Sequence, residues 1–92
     1  MNKENIEKMQ AIVDAGCGEM LGKAVSDFSI TDSDGVAVVV AKMQTKVGEA
    51  EARCSFDARL VDRAVSEPSV AELVRSTLVA NLQRAILKKA LS

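Results

Sequence analysis

Reactive chemistry in this chain has few residues to draw on. Histidine, tyrosine and tryptophan are absent from its 92 residues. The two thiols, Cys17 and Cys54, sit in apolar patterns with no Cys-x-x-Cys motif. A thiol nucleophile needs an activating base. Without histidine only a lysine is left for that role, and the alternation around Cys54 turns it toward the inner face of a strand. Paired carboxylates are a second option, at Asp32 and Asp34. They fall in a hairpin tip, where exposure removes the apolar surroundings that would separate their pKa values. The same Asp32-Ser33-Asp34-Gly35 segment can be compared with a calcium loop. Aligning Gly35 with the invariant glycine puts Ile30 in the first ligand position and Ala41 in the last, and neither can coordinate a cation. The chain holds no phosphate-binding glycine loop and no serine nucleophile motif. These absences lead us to expect a binding protein and not an enzyme, with no catalytic residue, metal site, cofactor or small-molecule substrate.

Charge is the chemistry that remains. Twelve Lys and Arg residues against thirteen Asp and Glu give a net charge of −1, so the chain is no polycation. The distribution is uneven. Residues 1–35 set Lys3, Lys8 and Lys23 against Glu4, Glu7, Asp14, Glu19, Asp27, Asp32 and Asp34. From Leu73 onward there are Arg75, Arg84, Lys88 and Lys89 and no acid. Cations near the end of a helix can simply oppose the negative end of its backbone dipole. They can also mark a surface for nucleic acid or an acidic partner. If the surface is functional, Arg84, Lys88 and Lys89 are the first candidates and Lys42 and Lys46 the next. Neither set includes an aromatic ring, which argues against stacking on single-stranded bases.

The elements that must position these groups read as one α+β domain over residues 1–92. Asn2 to Leu21 has the 3–4 spacing of an amphipathic helix, through Ile6, Met9, Val13, Cys17 and Met20, with Ile12 and Leu21 alongside. Asn2 suits its N-cap. Gly16 and Gly18 are awkward in a helix interior, costing about 1 kcal/mol each. Either the helix weakens or kinks there and stops at Gly22, the slightly favoured reading, or the glycines admit another helix closely. Ala24 to Ile30 is expected as a first strand, with Ala24, Ser26, Phe28 and Ile30 on one face. Asp34-Gly35 between apolar runs signals a hairpin. Val36 to Met43 follows as a β-branched strand buried on much of both faces. After a turn at Gln44–Gly48, Glu49 to Phe56 alternates strictly, with Ala50, Ala52, Cys54 and Phe56 inward. Asp57 to Val65 is a connection with room for one helical turn around Leu60, Val61 and Val65. Ser69-Val70-Ala71-Glu72 matches a capping box and opens a long last helix to about Leu91. The expected architecture is an N-terminal helix, a three-stranded antiparallel meander and a long C-terminal helix on the sheet.

That last helix carries two apolar stripes. A broad one comprises Ala71, Val74, Leu78, Leu82, Ala85 and Ile86, and suits a sheet. A narrower one comprises Leu73, Ala80 and Leu87, spaced by seven, with Leu91 continuing the line. Leucines exposed along a line are an aggregation risk, so the second stripe calls for the first helix or a second subunit. We favour the subunit. The composition points the same way: 48% of residues are apolar but Phe28 and Phe56 are the only aromatics. A core that gains little per residue is commonly rescued by association. Met1 to Gln10 is charged, unlike a secretory leader, and no apolar run approaches the roughly 18 residues of a membrane span. A reducing, cytoplasmic setting is therefore expected, and the nucleoid if DNA is bound.

Several local patterns resemble the YbaB nucleoid-associated family. Gly35-Val36-Ala37-Val38-Val39-Val40 is similar to its Gly-Leu-Val-Lys-Val hairpin strand. Phe56-Asp57-Ala58-Arg59-Leu60-Val61-Asp62 is similar to its Ile-Asp-Pro-x-Leu-Leu segment, with Ala58 in place of the proline. Val70-Ala71-Glu72-Leu73-Val74 through Ala85-Ile86 falls where the family has its Leu-x-Asp-Leu-Val helix. Lys8-Met9-Gln10 resembles its Met- and Gln-containing first helix. The likeness spans about residues 5–86. It implies a homodimer that binds double-stranded DNA with modest sequence preference, through lysines and arginines that neutralise phosphates. A different class of reading is a small protein-interaction module, an adaptor or phage-type inhibitor that docks on a larger protein without nucleic acid.

Overall fold

The structure, a computed structural model, describes residues 3–92. Asn2, expected as the first N-cap, lies outside the described residues. In chain order the elements are α1 (Lys3–Leu21), β1 (Asp27–Ser33), β2 (Val36–Thr45), β3 (Gly48–Asp57), α2 (Ala58–Ala64) and α3 (Pro68–Leu91). The fold is α+β: an antiparallel meander β1-β2-β3 with the long C-terminal helix packed on its inner face.

Two tight turns set the register. Asp34 and Gly35 both take positive φ, 52° and 77°, as a two-residue type I′ hairpin requires. Ser33 then pairs with Val36, and the ladder runs without a slip to Asp27 and Lys42. In the second turn Gly48 takes φ 112°. There the Thr45 hydroxyl donates to the Gly48 carbonyl at 2.6 Å and accepts from the Val47 N–H at 3.2 Å. This register places Ala37, Val39, Ala41 and Met43 beside Ala50, Ala52 and Cys54 on one sealed face. Met9, Val13 and Cys17 of α1, Val61 of α2, and Val74, Leu78 and Leu82 of α3 complete the core.

Among the described residues no helix covers the opposite face of the sheet. Val38 and Val40 are half-buried there among Ser29, Thr31, Arg53 and Ser55, and Val36 is exposed. The expectation that β2 is covered on much of both faces therefore holds fully on the inner side only.

Three local expectations need correction. The first strand begins at Asp27, not Ala24, and runs on to Ser33. Ala24 is exposed while Val25 is buried. The reason is two-fold: the tight turn at Asp34 carries pairing out to Ser33, and Asp14 of α1 accepts the Val25 N–H at 2.9 Å, pinning that stretch as a connector. Met20 lies off the buried face of α1, 60% exposed. Finally, the Ser69–Glu72 capping box is not formed. Proline is pre-set for the first helical position, so α3 starts at Pro68 with Glu67 as N-cap and no side-chain cap bond. Glu72 instead pairs with Arg75 and receives the Ser76 hydroxyl. The connection before it is more ordered than one turn: α2 runs seven residues, capped by Asp57, whose carboxylate accepts the Arg59 N–H at 2.9 Å.

Gly16 also corrects the sequence reading. Helix α1 runs unbroken through both interior glycines and ends before Gly22, φ 74°. A Cβ at position 16 would stand 2.6 Å from Cγ of Arg75 and 3.2 Å from Val79, whereas one at Gly18 would meet nothing within 4 Å. Gly16 is thus where α1 presses on α3. The two helices run the same way. Leu21 and Ala90 line one pocket beside the β2–β3 turn, and Ile12 and Ala71 line a groove at the other end. The 24 residues of α3 rise about 36 Å, matching the longest dimension of the molecule, 36 Å. Among the described residues, no helix is long and apolar enough to cross a membrane.

Candidate binding surfaces

Helix α3 presents its narrow stripe directly away from the sheet. At 100° per residue the stripe centres opposite Val74, Leu78 and Leu82, which are fully buried. Leu73, Leu87 and Leu91 are 54%, 59% and 78% exposed. Ala80, midway, is half-buried at the rim of a groove of about 350 Å³ shared with Gly16, Met20 and Val79. Helix α1 therefore reaches the flank of the stripe at Ala80 and leaves the leucines open. The sheet cannot reach them from the other side of α3.

The cations divide into three groups. Lys89 lies against the β2–β3 turn, its Nζ 3.6 Å from where a Cβ on Gly48 would sit. Lys46 of that turn and Lys23 line an apolar pocket with Ile86 and Ala90. Lys46 and Lys89, drawn from separate candidate sets, thus share one end of the molecule, and Lys23 joins them. Arg84 and Lys88 stand instead on the outer side of α3, bordering Leu87 and Leu91. The Arg84 guanidinium donates to the Asn81 side chain at 3.1 Å. Lys42 is separate from both groups, on the uncovered face of the sheet with its Nζ 4.0 Å from the Glu51 carboxylate.

The end that holds the β1–β2 turn has the opposite character. The Ala58 N–H donates to the Gly35 carbonyl at 2.9 Å, which brings Asp34 and Asp57 into one neighbourhood. The Arg59 guanidinium donates to Asp57 and holds its carboxyl below the usual range. Arg63, 2.6 Å from Glu67, does the same there. These groups are solvent-exposed pairs, and such pairs contribute little stability individually.

The thiols behave as core atoms. Burial, reinforced by the nearby Asp14 charge, pushes the Cys17 thiol up from its ordinary value, which disfavours the nucleophilic thiolate. Cys54 accepts a hydrogen bond from the Asn81 amide at 2.8 Å, tying α3 to β3. Among the described residues no group of three or more acids or cysteines is gathered to hold a metal ion. Sequence reasoning missed Lys23, Met20 and the Asn81–Cys54 bond. Each depends on which elements become neighbours, and only the lysine had a sequence signal, its position just after the Gly22 helix stop.

No protein-family model, no curated protein and no solved structure matches this chain.

Proposed function

We propose that this chain is a non-enzymatic binding protein that acts as a homodimer joined along the outer stripe of α3 and holds double-stranded DNA, in the manner of the YbaB-like nucleoid-associated proteins it resembles. The carrying observation is the line of exposed leucines on α3, bordered by Arg84 and Lys88. Apolar surface of that kind, rimmed by polar residues, marks an interaction site. The gathering of Lys23, Lys46 and Lys89 at one end supports phosphate binding. Its strength would be electrostatic, and so strongly salt-dependent. The localisation that goes with this reading is cytoplasmic, on the nucleoid.

A gel-shift titration with nonspecific duplex at two salt concentrations tests the DNA part. Wild type should bind more weakly at the higher salt. The Arg84→Ala/Lys88→Ala/Lys89→Ala variant should have a shallower salt dependence, by about five in log–log slope if each of the six cations lost from a dimer neutralises one phosphate. Binding indifferent to both salt and the triple change would remove DNA from the proposal. Light scattering tests the dimer: a wild-type monomer at tens of micromolar would contradict it.

A second reading has its own support. A groove of about 540 Å³ runs between α1 and the α2–α3 joint, floored by Ile12, Val65, Pro68 and Ala71. An apolar trough of this kind, on a chain of net charge −1, suits docking to a larger protein without nucleic acid. Binding to a protein target that survives the triple cation change would favour it.

A further inference from the structure

The β2–β3 turn, the end of α1 and the last turns of α3 close around a pocket of about 350 Å³. Its walls are Leu21, Val47, Ile86 and Ala90, with the buried Met43 behind them. The fold does not need all of this surface. Val47 is 48% exposed, in a turn, where Gly, Asn, Asp and Ser are the ordinary choices. Ala90 is exposed and Ile86 half-buried. Apolar groups left open in a concavity are the usual lining of a small-molecule site, where a few polar groups supply the specificity.

Here those polar groups are ammoniums. Lys23 and Lys46 line the pocket, and Lys89 reaches the same turn, its Nζ 3.6 Å from where a Cβ on Gly48 would sit. The Lys23 Nζ donates to the Gln44 carbonyl at 3.4 Å, which holds that head at the rim with donors to spare. Among the described residues no acid lines the pocket, and none of the three lysines pairs with a carboxylate. Glu49, just past the turn, is bound by the Gln44 amide at 3.0 Å on the other face of the sheet. The negative end of the α3 dipole accounts for Lys89 alone, because Lys23 and Lys46 stand on other segments. DNA phosphates would use the ammoniums and leave the apolar walls unfilled.

We propose that this pocket binds a single-tailed anionic amphiphile of the fatty-acid type. Its tail lies against Val47, Ile86 and Ala90, and its carboxylate among Lys23, Lys46 and Lys89. The volume is at the small end of ligand sites, roughly 300–1,000 Å³, which suits one short chain and not the paired tails of a membrane lipid. The lysine stems extend the apolar wall while their heads stay in water, and the carboxylate accepts charge-assisted hydrogen bonds from them.

Titration of isotope-labelled protein with sodium octanoate, read by backbone amide shifts, tests this. Saturable shifts are expected at residues 21–23, 43–47 and 86–90. Hexanoate should bind about 15-fold more weakly, at about fourfold per methylene. Octylammonium, which reverses the charge on the same tail, should give no saturable shift. Lys23→Gln/Lys46→Gln should weaken octanoate by roughly two- to fivefold for each lysine, as exposed ion pairs do. Ala90→Phe, at an exposed position, should block the mouth and abolish the shifts. Octylammonium or octanol binding as tightly as octanoate would remove the lysines from the site and overturn the proposal. Acetate matching octanoate would remove the walls and overturn it too. Shifts centred on Leu73 and Leu87, or none that saturate at millimolar octanoate, would show that the pocket is no site. Anionic phospholipid vesicles that sediment the protein, with octanoate inert, would reassign the lysines to a membrane surface. No duplex enters the titration, so its outcome is independent of DNA binding.

Discussion

Helix α3 puts the same residue type in two opposite settings. Leu78 and Leu82 face the sheet and are sealed, while Leu73 and Leu87, on the same helix, stand more than half exposed. Hydrophobic content alone does not distinguish the two sides. Angular position does, because one sheet can cover only one side of a cylinder. The inner side answers for the fold of a single chain. The outer leucines contribute little to it, and gain in full only when another surface removes them from water.

The sharpest way to break this comparison is to truncate each side in turn. Leu78→Ala should cost about 2–5 kcal/mol, the transfer loss plus a cavity, read as a lower urea midpoint. For a chain of this size that is a large share of a total of roughly 5–15 kcal/mol. A smaller effect is expected at the α1–α3 contact, where two glycines should respond with opposite signs. Gly18→Ala, with open space around it, should stabilise by up to about 1 kcal/mol from helix propensity. Gly16→Ala forces Arg75 aside from its pairing with Glu72 and should lose about 1–3 kcal/mol to overpacking. Equal shifts in thermal midpoint at the two positions would show that the helices do not press together at Gly16.

On the outer side, Leu87→Asp should leave the unfolding free energy of the monomer within about 0.5 kcal/mol of wild type, as surface substitutions do. The same change should abolish dimer at tens of micromolar in light scattering. A drop in stability like that of Leu78→Ala would mean that the two sides are not distinct.

The smallest expected effect is in pH. Asp57 and Glu67 are held below their ordinary values by Arg59 and Arg63. Their contribution is therefore present above the usual carboxylate range and is lost as pH falls through the lowered folded values. Exposure and salt keep it slight. Asp57→Asn, which keeps a good N-cap but removes the charge, should flatten this acid step in a thermal-shift series. The Cys17 thiol gives the alkaline counterpart. Raised from 9.0 by burial, it favours the folded state below that value and ceases to as pH climbs through its folded value.

Much of the fold was legible in the chain because its signals are local. Asp34-Gly35 prescribes its own turn, and the alternation from Glu49 to Phe56 prescribes its own faces. The two stripes of α3 follow from helical arithmetic, and the openness of Leu73 and Leu87 on the folded chain agrees with it. What was hidden depends on partners distant in sequence. The start of β1 is decided by Asp14 reaching Val25. The role of Gly16 is decided by Arg75, far along the chain. Lys46 and Lys89 become neighbours only because α3 ends at the β2–β3 turn. In the candidate binding surfaces, residue types could be named from sequence, but their grouping could not.

The meander is open at both sides: β1 and β3 each have one neighbouring strand. A row of backbone groups beyond the last ladder is a template on which another chain can add itself. Here Asp27 on one border and Glu49 on the other set like charge against a second copy that would pair through the same border. Resistance to fibril growth is then a property of solution conditions. Acidification that neutralises those groups, or salt that screens them, should lower the concentration at which stacked sheets form.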